Sequence, residues 1–535
     1  MKTRRAMNGR AAAVVAGTLL LTSCGGGTDT GSENADEDRS AIYENGLIDV
    51  SEGGEPQGGG TLTVAEYTDI RSLDPTVTHA NGSTGGNAMA AIFDPLVRYD
   101  TANDSVEPWL AESLESNDDD TVWTLNLRDG VQFSDGTPVD AEAVVGSIER
   151  YTESFSLNAH VMRTGMQDID VVDASTVEFT LNDPWPRFAV MLAGGPGMIL
   201  APAAHEDPEN FQPIGAGPFV FENYAPGEEL TVTANEDYWG EGPHLDGIRF
   251  TFLGSDDTAL DTLRAEDVDV AFMRAADLVE EARAEGIGGM MDTTSLSNNL
   301  WVNAREGYPG EDARVRQAIY WAIDPKVFGE RALEGAGIPH KSLVSPESSW
   351  SVTSEQPTAD QERAQELLEE AMADGFDGEI TYTARNDQAS QAGAVAVQAM
   401  LESVGFEVEL NLLQNVADQV QSVYVDGDYD LAVVATSLQD DDVFGRLSNS
   451  LHSESPGNVT GYASEEMDAL LGELQQVSDP EDAREVIKGV EELWATEVPG
   501  ITLTSGGLFT GWNDNVHGVV PTSESNMLFG EAWVE

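Results

Sequence analysis

The sequence predicts a mixed α/β protein, and three patterns carry that prediction. Short runs such as Thr61 to Glu66 (TLTVAE) and Val122 to Leu127 (VWTLNL) alternate apolar and polar residues with the period of a half-buried strand. Asp312 to Ile323 (DARVRQAIYWAI) instead places apolar residues at 315, 318, 319 and 322, one stripe along a helix. Tyr429 to Ala435 (YDLAVVA) is a nearly unbroken apolar run, as expected of a strand covered by helices on both faces. At 535 residues, and about 150 per domain, the chain should hold about three domains or subdomains.

Charge bounds the partners. The chain has 96 Asp and Glu against 26 Lys and Arg, a formal net charge of -70. That balance argues against a nucleic-acid binder, which needs a basic face, and a surface this anionic is repelled by anionic lipid head groups. A hydrophobic fraction of 40% with ten tryptophans still supplies a large core. The only lysines are Lys2, Lys326, Lys341 and Lys488. Acid-rich, lysine-poor surfaces suit a salty exterior, where a Debye length of about 3 Å near 1 M salt screens self-repulsion. A halophilic or salt-tolerant source is expected.

The N-terminus reads as an export signal. Met1 to Arg10 carries Lys2, Arg4, Arg5 and Arg10 and no acid, followed by the apolar run Ala11 to Leu21. Eleven residues fall short of the roughly 20 that span a bilayer, so a secretory signal is expected over 1–23, with Sec and twin-arginine export both open. Leu21-Thr-Ser-Cys24-Gly25 resembles a bacterial lipobox, in which Cys24 becomes the lipid-modified first residue. Cys24 is the only cysteine, which excludes an intrachain disulfide or a thiolate metal cluster. Gly25 to Gly60 is rich in Gly, Ser, Asp and Glu, so 24–60 is expected to be a lipid-anchored flexible tether. It would hold a soluble body at the extracytoplasmic side of the cell membrane, facing the cell surface or a periplasm.

Along the body, the strand at 61–66 ends at the turn Ser72-Leu-Asp-Pro75. A third strand is expected at Gly130 to Phe133, then a helix opened by Thr137 as N-cap and Pro138 and running to about Tyr151. Strand pairs are expected within Val171 to Leu181 and from Phe219 to Ala234. Thr258 to Leu263 reads as a short helix and Val268 to Met273 as a buried strand. The second half reads as helices at Thr358 to Ala373, Ser390 to Val404, Ser464 to Val477 and Pro480 to Thr496. Between them stand strands at Glu379 to Thr383, Val408 to Leu413 and Tyr429 to Ala435.

Catalytic motifs are missing: there is no GxxxxGK loop, no GxSxG elbow, no HExxH and no strand-linked GxGxxG. The seven histidines are dispersed, and no metal or other cofactor is expected. Asp426-Gly-Asp428-Tyr-Asp430 begins like a calcium loop, but Leu431 stands where glycine is needed, so a turn into the 429–435 strand is expected. No enzymatic activity is expected. The alternative from another class is a secreted salt-adapted hydrolase, which requires a reactive pair in a cleft.

Several blocks in order resemble the extracytoplasmic solute-binding lipoproteins of ABC importers, family 5, the peptide- and nickel-binding type. They include Phe93-Asp-Pro-Leu-Val-Arg-Tyr99, Glu107-Pro-Trp-Leu-Ala-Glu-Ser113, Trp123-Thr-Leu-Asn-Leu-Arg-Asp-Gly-Val-Gln-Phe-Ser-Asp-Gly-Thr-Pro138 and Pro213-Ile-Gly-Ala-Gly-Pro-Phe219. Asn235-Glu-Asp-Tyr-Trp239, Asp312-Ala-Arg-Val-Arg-Gln-Ala318 and Ala322-Ile-Asp-Pro325 continue the series. The resemblance implies a two-lobed, periplasmic-binding-protein type II-like α/β fold with an additional subdomain inserted in lobe one. Lobe one would comprise 61–82, 214–295 and 500–535, the insert 83–213, and lobe two 296–499. It also implies a monomer that captures a peptide or similar small solute between its lobes. The lobes would close and deliver the solute to a membrane permease powered by separate ATPase subunits. Within this class, a nickel or metal-chelate binder would use histidine or a bound chelator, and an oligosaccharide binder several aromatic platforms.

The resemblance also suggests site residues. In peptide-binding relatives an aspartate after the buried strand of lobe two receives the ligand's ammonium, a charge-assisted bond. Asp440 is the best positional match here, with Asp441 and Asp442 beside it. The family's tryptophan and proline in this stretch are replaced by Ser437 and Val443. Asp69 and Asn303 are expected to face the cleft from opposite lobes, where added-strand hydrogen bonds would hold an extended ligand. Arg385 and Arg446 are candidates for bidentate contact with a ligand carboxylate.

Overall fold

The computed structural model describes residues 42–535 apart from 52, 208–209 and 353–356. The expected signal peptide, Cys24 and tether residues 24–41 lie outside the described residues. Two sheets organise the remainder. The larger has eight strands in the order Gly46–Ile48, Gly288–Asp292, Leu508–Trp512, Val270–Met273, Thr61–Glu66, Gly247–Phe252, Glu229–Ala234, Phe219–Ala225. The smaller has five, in the order Glu407–Leu413, Glu379–Arg385, Leu431–Thr436, Ser297–Val302, Gly500–Ser505. The chain crosses between them at 293–296 and at Gly506-Gly507. A Cβ at Gly507 would lie 2.3 Å from the Met291 sulfur, so the Met291 side chain would have to shift to admit one.

Each sheet has its own apolar core. Leu62, Val64, Ile248 and Phe250 anchor the first; Leu300, Val302, Ile380 and Tyr382 anchor the second. The fold is therefore the expected two-lobed α/β architecture. Leu431 packs into one core of lobe two while Ala432 and Val434 pack into another, which explains the unbroken apolar run at this strand. A separate core, built on Trp123, Leu125, Val177, Phe179 and Phe188, sits on the antiparallel sheet Ala111–Ser116, Val122–Leu127, Thr176–Leu181, Met166–Asp173. Trp123 is thus a core anchor, with its ring 5.9 Å from that of Phe188.

The structure corrects several boundaries. Residues 42–60 are not all tether: Gly46–Ile48 pairs antiparallel with Gly288–Asp292, and Tyr43 is fully buried, donating to Glu280 at 3.1 Å. An otherwise open sheet edge gains a strand this way. Gly500–Ser505, expected in lobe one, pairs antiparallel with Ser297–Val302 and is buried throughout, so it closes the sheet of lobe two. Helix Gly86–Phe93, expected in the insert, packs its apolar residues into the core of the eight-stranded sheet.

Capping explains where the helices start. Ala141–Thr152 is capped by Asp140, which accepts from the Ala143 amide at 3.0 Å, rather than by Thr137, which closes a turn on Asp135. Gln361–Ala373 starts at Asp360, not Thr358. Gly130 to Phe133 forms no strand, because Gly130 and Gly136 both take positive φ and fold the segment into turns. A single bridge joins Gln132 to Pro138.

Candidate functional site

A cavity of about 250 Å³ lies where the two lobes meet. Phe272, Met290 and Asp292 line it from the eight-stranded sheet, Tyr99 and Asp104 from the hairpin Val97–Asp100 with Ser105–Pro108. Gln439, Asp440 and Asp441 reach it from lobe two, and Thr522, Glu524 and Ser525 from a loop near the C-terminus. That loop joins the paired strands Val520–Pro521 and Met527–Leu528. It is tied to the hairpin by Thr522, whose hydroxyl accepts from the Tyr99 amide at 2.9 Å and donates to the Tyr99 carbonyl at 3.1 Å. Glu524 and Ser525 both take left-handed φ, of 63° and 54°. Non-glycine residues hold that conformation at some energetic cost, a feature that clusters at functional sites.

Contacts from one lobe to the other surround the cavity. Arg446, on helix Val443–Leu451 of lobe two, donates to Glu524 and, at 2.6 Å, to Gln439. Both partners of the ion pair are buried, at 3% and 4% exposure. Gln439 donates to Ser525 at 3.0 Å, and Ser523 donates to one carboxylate oxygen of Asp441. Arg187, just before the short helix Phe188–Met191 of the insert, reaches the Asp441 carbonyl at 3.0 Å, and the rings of Trp185 and Phe444 meet edge-on at 5.3 Å. Together these contacts join the lobes around the cavity.

The electrostatics follow from burial. Burial, and then the neighbouring charge of Glu524, push the Asp441 carboxyl up to about 6. Burial pushes Asp442 up to about 8 against the opposing pull of Arg446. Burial also works to raise Glu524, but Arg446 and His79 outweigh it and hold this carboxyl below its usual range. His79 stands 3.5 Å from Glu524, and Asn81 donates to it at 3.3 Å.

Of the residues expected from sequence, the structure brings Asp440, Asp441, Asp442 and Arg446 together and leaves the others apart. Asp440 lines the cavity, but its oxygens accept from the Ser348 hydroxyl at 2.5 Å and the Ser349 amide at 2.8 Å. It anchors the loop before Trp350, whose indole donates to the Asp440 carbonyl at 2.8 Å. Asp441 keeps one carboxylate oxygen without a partner. Asp442 caps helix Val443–Leu451, accepting from the Gly445 amide at 3.0 Å. Arg446 pairs with Glu524 and keeps its buried Nε without a partner.

Asp69, Asn303 and Arg385 do not line this cavity. Asp69 accepts from the Tyr224 hydroxyl at 2.7 Å and the Gly227 amide at 2.9 Å, pinning a turn of lobe one. Asn303 is fully buried and donates to the carbonyls of Gly427 and Tyr429 at 2.9 and 2.7 Å. It fastens the turn that leads into strand Leu431–Thr436. Arg385 pairs with Asp387 at 3.2 Å on a partly exposed strand end.

Residues that sequence reasoning missed are Asp292, Ser523, Glu524 and Ser525. Asp292 accepts from Ser525 at 2.7 Å and from the Thr294 and Ser295 amides, so it orders one crossing between the lobes. The only available signal was polar crowding in Thr522-Ser-Glu-Ser-Asn526, a composition that many surface loops share.

A family model described as bacterial extracellular solute-binding proteins, family 5 Middle, matches residues 105–458. The chain is 28% identical over 453 residues to the probable D,D-dipeptide-binding periplasmic protein DdpA of Escherichia coli K12, covering 80% of this chain and 86% of that protein. It is 24% identical over 487 residues to the glutathione-binding protein GsiB of the same strain, covering 88% and 94%. The solved structure of the ABC transporter-associated periplasmic binding protein DppA from Helicobacter pylori, in complex with peptide STSA, matches with a TM-score of 0.77. That match is at 22% identity and covers 90% of this chain and 99% of the other. With about two thirds of its length inside the family model and a two-lobed fold with a cavity between its lobes, the chain belongs to the bacterial extracellular solute-binding proteins of family 5.

Proposed function

We propose that this protein is the extracytoplasmic binding component of an ABC importer that captures a short peptide between its lobes and passes it to a membrane permease. Separate ATPase subunits would supply the energy. The observation that carries the reading is the cavity between the lobes, where residues of both lobes meet and Asp441 retains an unpartnered oxygen. A volume of about 250 Å³ lies just below the roughly 300–1,000 Å³ of common small-molecule sites, which favours a dipeptide-sized solute. Relatives whose names refer to D,D-dipeptides and glutathione support the same class.

In this reading Asp441, rather than Asp440, accepts the ligand's ammonium in a charge-assisted bond. The ligand contacts both lobes only when they are closed, so binding shifts the population toward closure and no bond is broken. Sheet and core membership support lobe one as 42–94, 214–292 and 508–535, the insert as 95–213, and lobe two as 297–505. Cys24 would carry the lipid that keeps a monomeric body at the extracytoplasmic face of the membrane.

Thermal-shift screening and native mass spectrometry of the intact protein against a peptide library test the reading. A stoichiometric peptide released unchanged is expected. Appearance of cleaved product, or no shift with any peptide, would overturn it.

A further inference from the structure

The interlobe cavity is charged with one sign. Asp104, Asp292, Asp440, Asp441 and Glu524 all line it, and the described residues lining it include no lysine, arginine or histidine. The guanidiniums bonded to these acids are already engaged. Arg446 is held by Glu524 and Gln439, and Arg187 by Asp104 at 3.1 Å and the Asp441 carbonyl at 3.0 Å. Arg446 keeps its buried Nε without a partner, but neither guanidinium lines the cavity.

Glu524 pairs with Arg446 and itself faces the cavity. Asp441 supplies the complementary observation: it is only 5% exposed, it lines the cavity, and one of its oxygens has no partner. A buried anionic acceptor without a partner is costly unless a cation or donor arrives. Its carboxyl is pushed up to about 6 by burial and Glu524, a strain that a ligand cation would relieve.

We infer that the cavity selects short peptides of net positive charge, holding their ammonium or guanidinium groups against Asp441 and its acidic neighbours. The inference rests on the proposed peptide capture and adds a charge class to it. A ligand cation here exchanges hydration for several fixed carboxylates, while a ligand anion meets like charge in a partly desolvated space.

Titration calorimetry of the intact protein at one fixed salt concentration tests this with alanyl-lysine, alanyl-glutamine, alanyl-glutamate, alanyl-glutamine amide and 1,5-diaminopentane. Alanyl-lysine and the amide are expected to bind at least about tenfold tighter than alanyl-glutamine, and alanyl-glutamate weakest. Asp441→Asn should shrink the ratio of alanyl-lysine to alanyl-glutamine affinity. Asp104→Asn, at a more exposed position, should do so in part and covers the case of a misfolded first variant. Equal affinity across the dipeptides would overturn the charge selection and leave peptide capture standing. Binding of the diamine but of no peptide would support the charge selection and overturn peptide capture. No binding by any cation would overturn the charge selection.

Discussion

The guanidinium of Arg446 in lobe two donates to the carboxylate of Glu524 in the C-terminal loop of lobe one, with both side chains almost wholly shut off from solvent. Removing one partner leaves the other charged and buried, a loss of about 3–5 kcal/mol in comparable pairs. Glu524→Gln is therefore expected to lower unfolding free energy by about that amount in urea denaturation. Arg446→Met with Glu524→Leu should recover most of it, because no unpaired charge remains. Unchanged stability of the single variant would show that the pair does not hold the lobes together.

Buried carboxyls set a pH dependence whose sign follows from their shifts. Burial raises Glu66, Asp94 and Glu491 to about 7, Asp441 to about 6 and Asp442 to about 8. Each binds its proton more tightly when folded. Its stabilising effect is therefore complete below the unfolded value near 4 and is lost as pH rises through the folded one. The melting temperature at fixed salt should fall between pH 5 and 8.5, and Asp442→Asn, which retains a capping side chain, should flatten the upper part of the fall. A rise over that interval would contradict these assignments.

The charge of -70 predicts a salt response. Self-repulsion among surface carboxylates is screened as the Debye length shrinks from about 10 Å at 0.1 M to about 3 Å at 1 M. The melting temperature should rise as NaCl goes from low to molar concentration. A flat or falling curve would remove the proposed adaptation to a salty exterior.

Asn303 separates a structural from a binding role. Its amide satisfies the Gly427 and Tyr429 carbonyls and its oxygen accepts from the Arg305 amide at 3.3 Å. Asn303→Ala should cost about 2–3 kcal/mol of stability while leaving ligand affinity within twofold or about 0.4 kcal/mol. A large loss of affinity at unchanged stability would return Asn303 to the site.

Local pattern made much of this fold legible. The alternation in VWTLNL, the stripe through Val315, Ala318 and Ile319, and the apolar run ending in LAVVA each report burial within one element, and each forms as expected. What escaped was decided by partners far along the chain. Gly46–Ile48 is a strand only because the edge at Gly288–Asp292 is open to it, and Gly500–Ser505 joins lobe two because Ser297–Val302 is its neighbour. The site divides in the same way. Asp440, Asp441 and Asp442 follow a recognisable strand, whereas Glu524 lies 78 residues from Arg446 in a loop without periodicity. Asp69 and Asn303 each bond within their own lobe, and position alone cannot tell a carboxylate or amide facing a cleft from one pinning its own turn.

Solution scattering of the intact protein, with and without the peptide that emerges from thermal-shift screening, tests capture by lobe closure most directly. Saturating peptide should reduce the radius of gyration of the wild-type protein, and Asp441→Asn should require more peptide to reach the same compaction. A radius that stays constant at saturation, with calorimetry showing that the peptide is bound, would contradict closure as the means of capture.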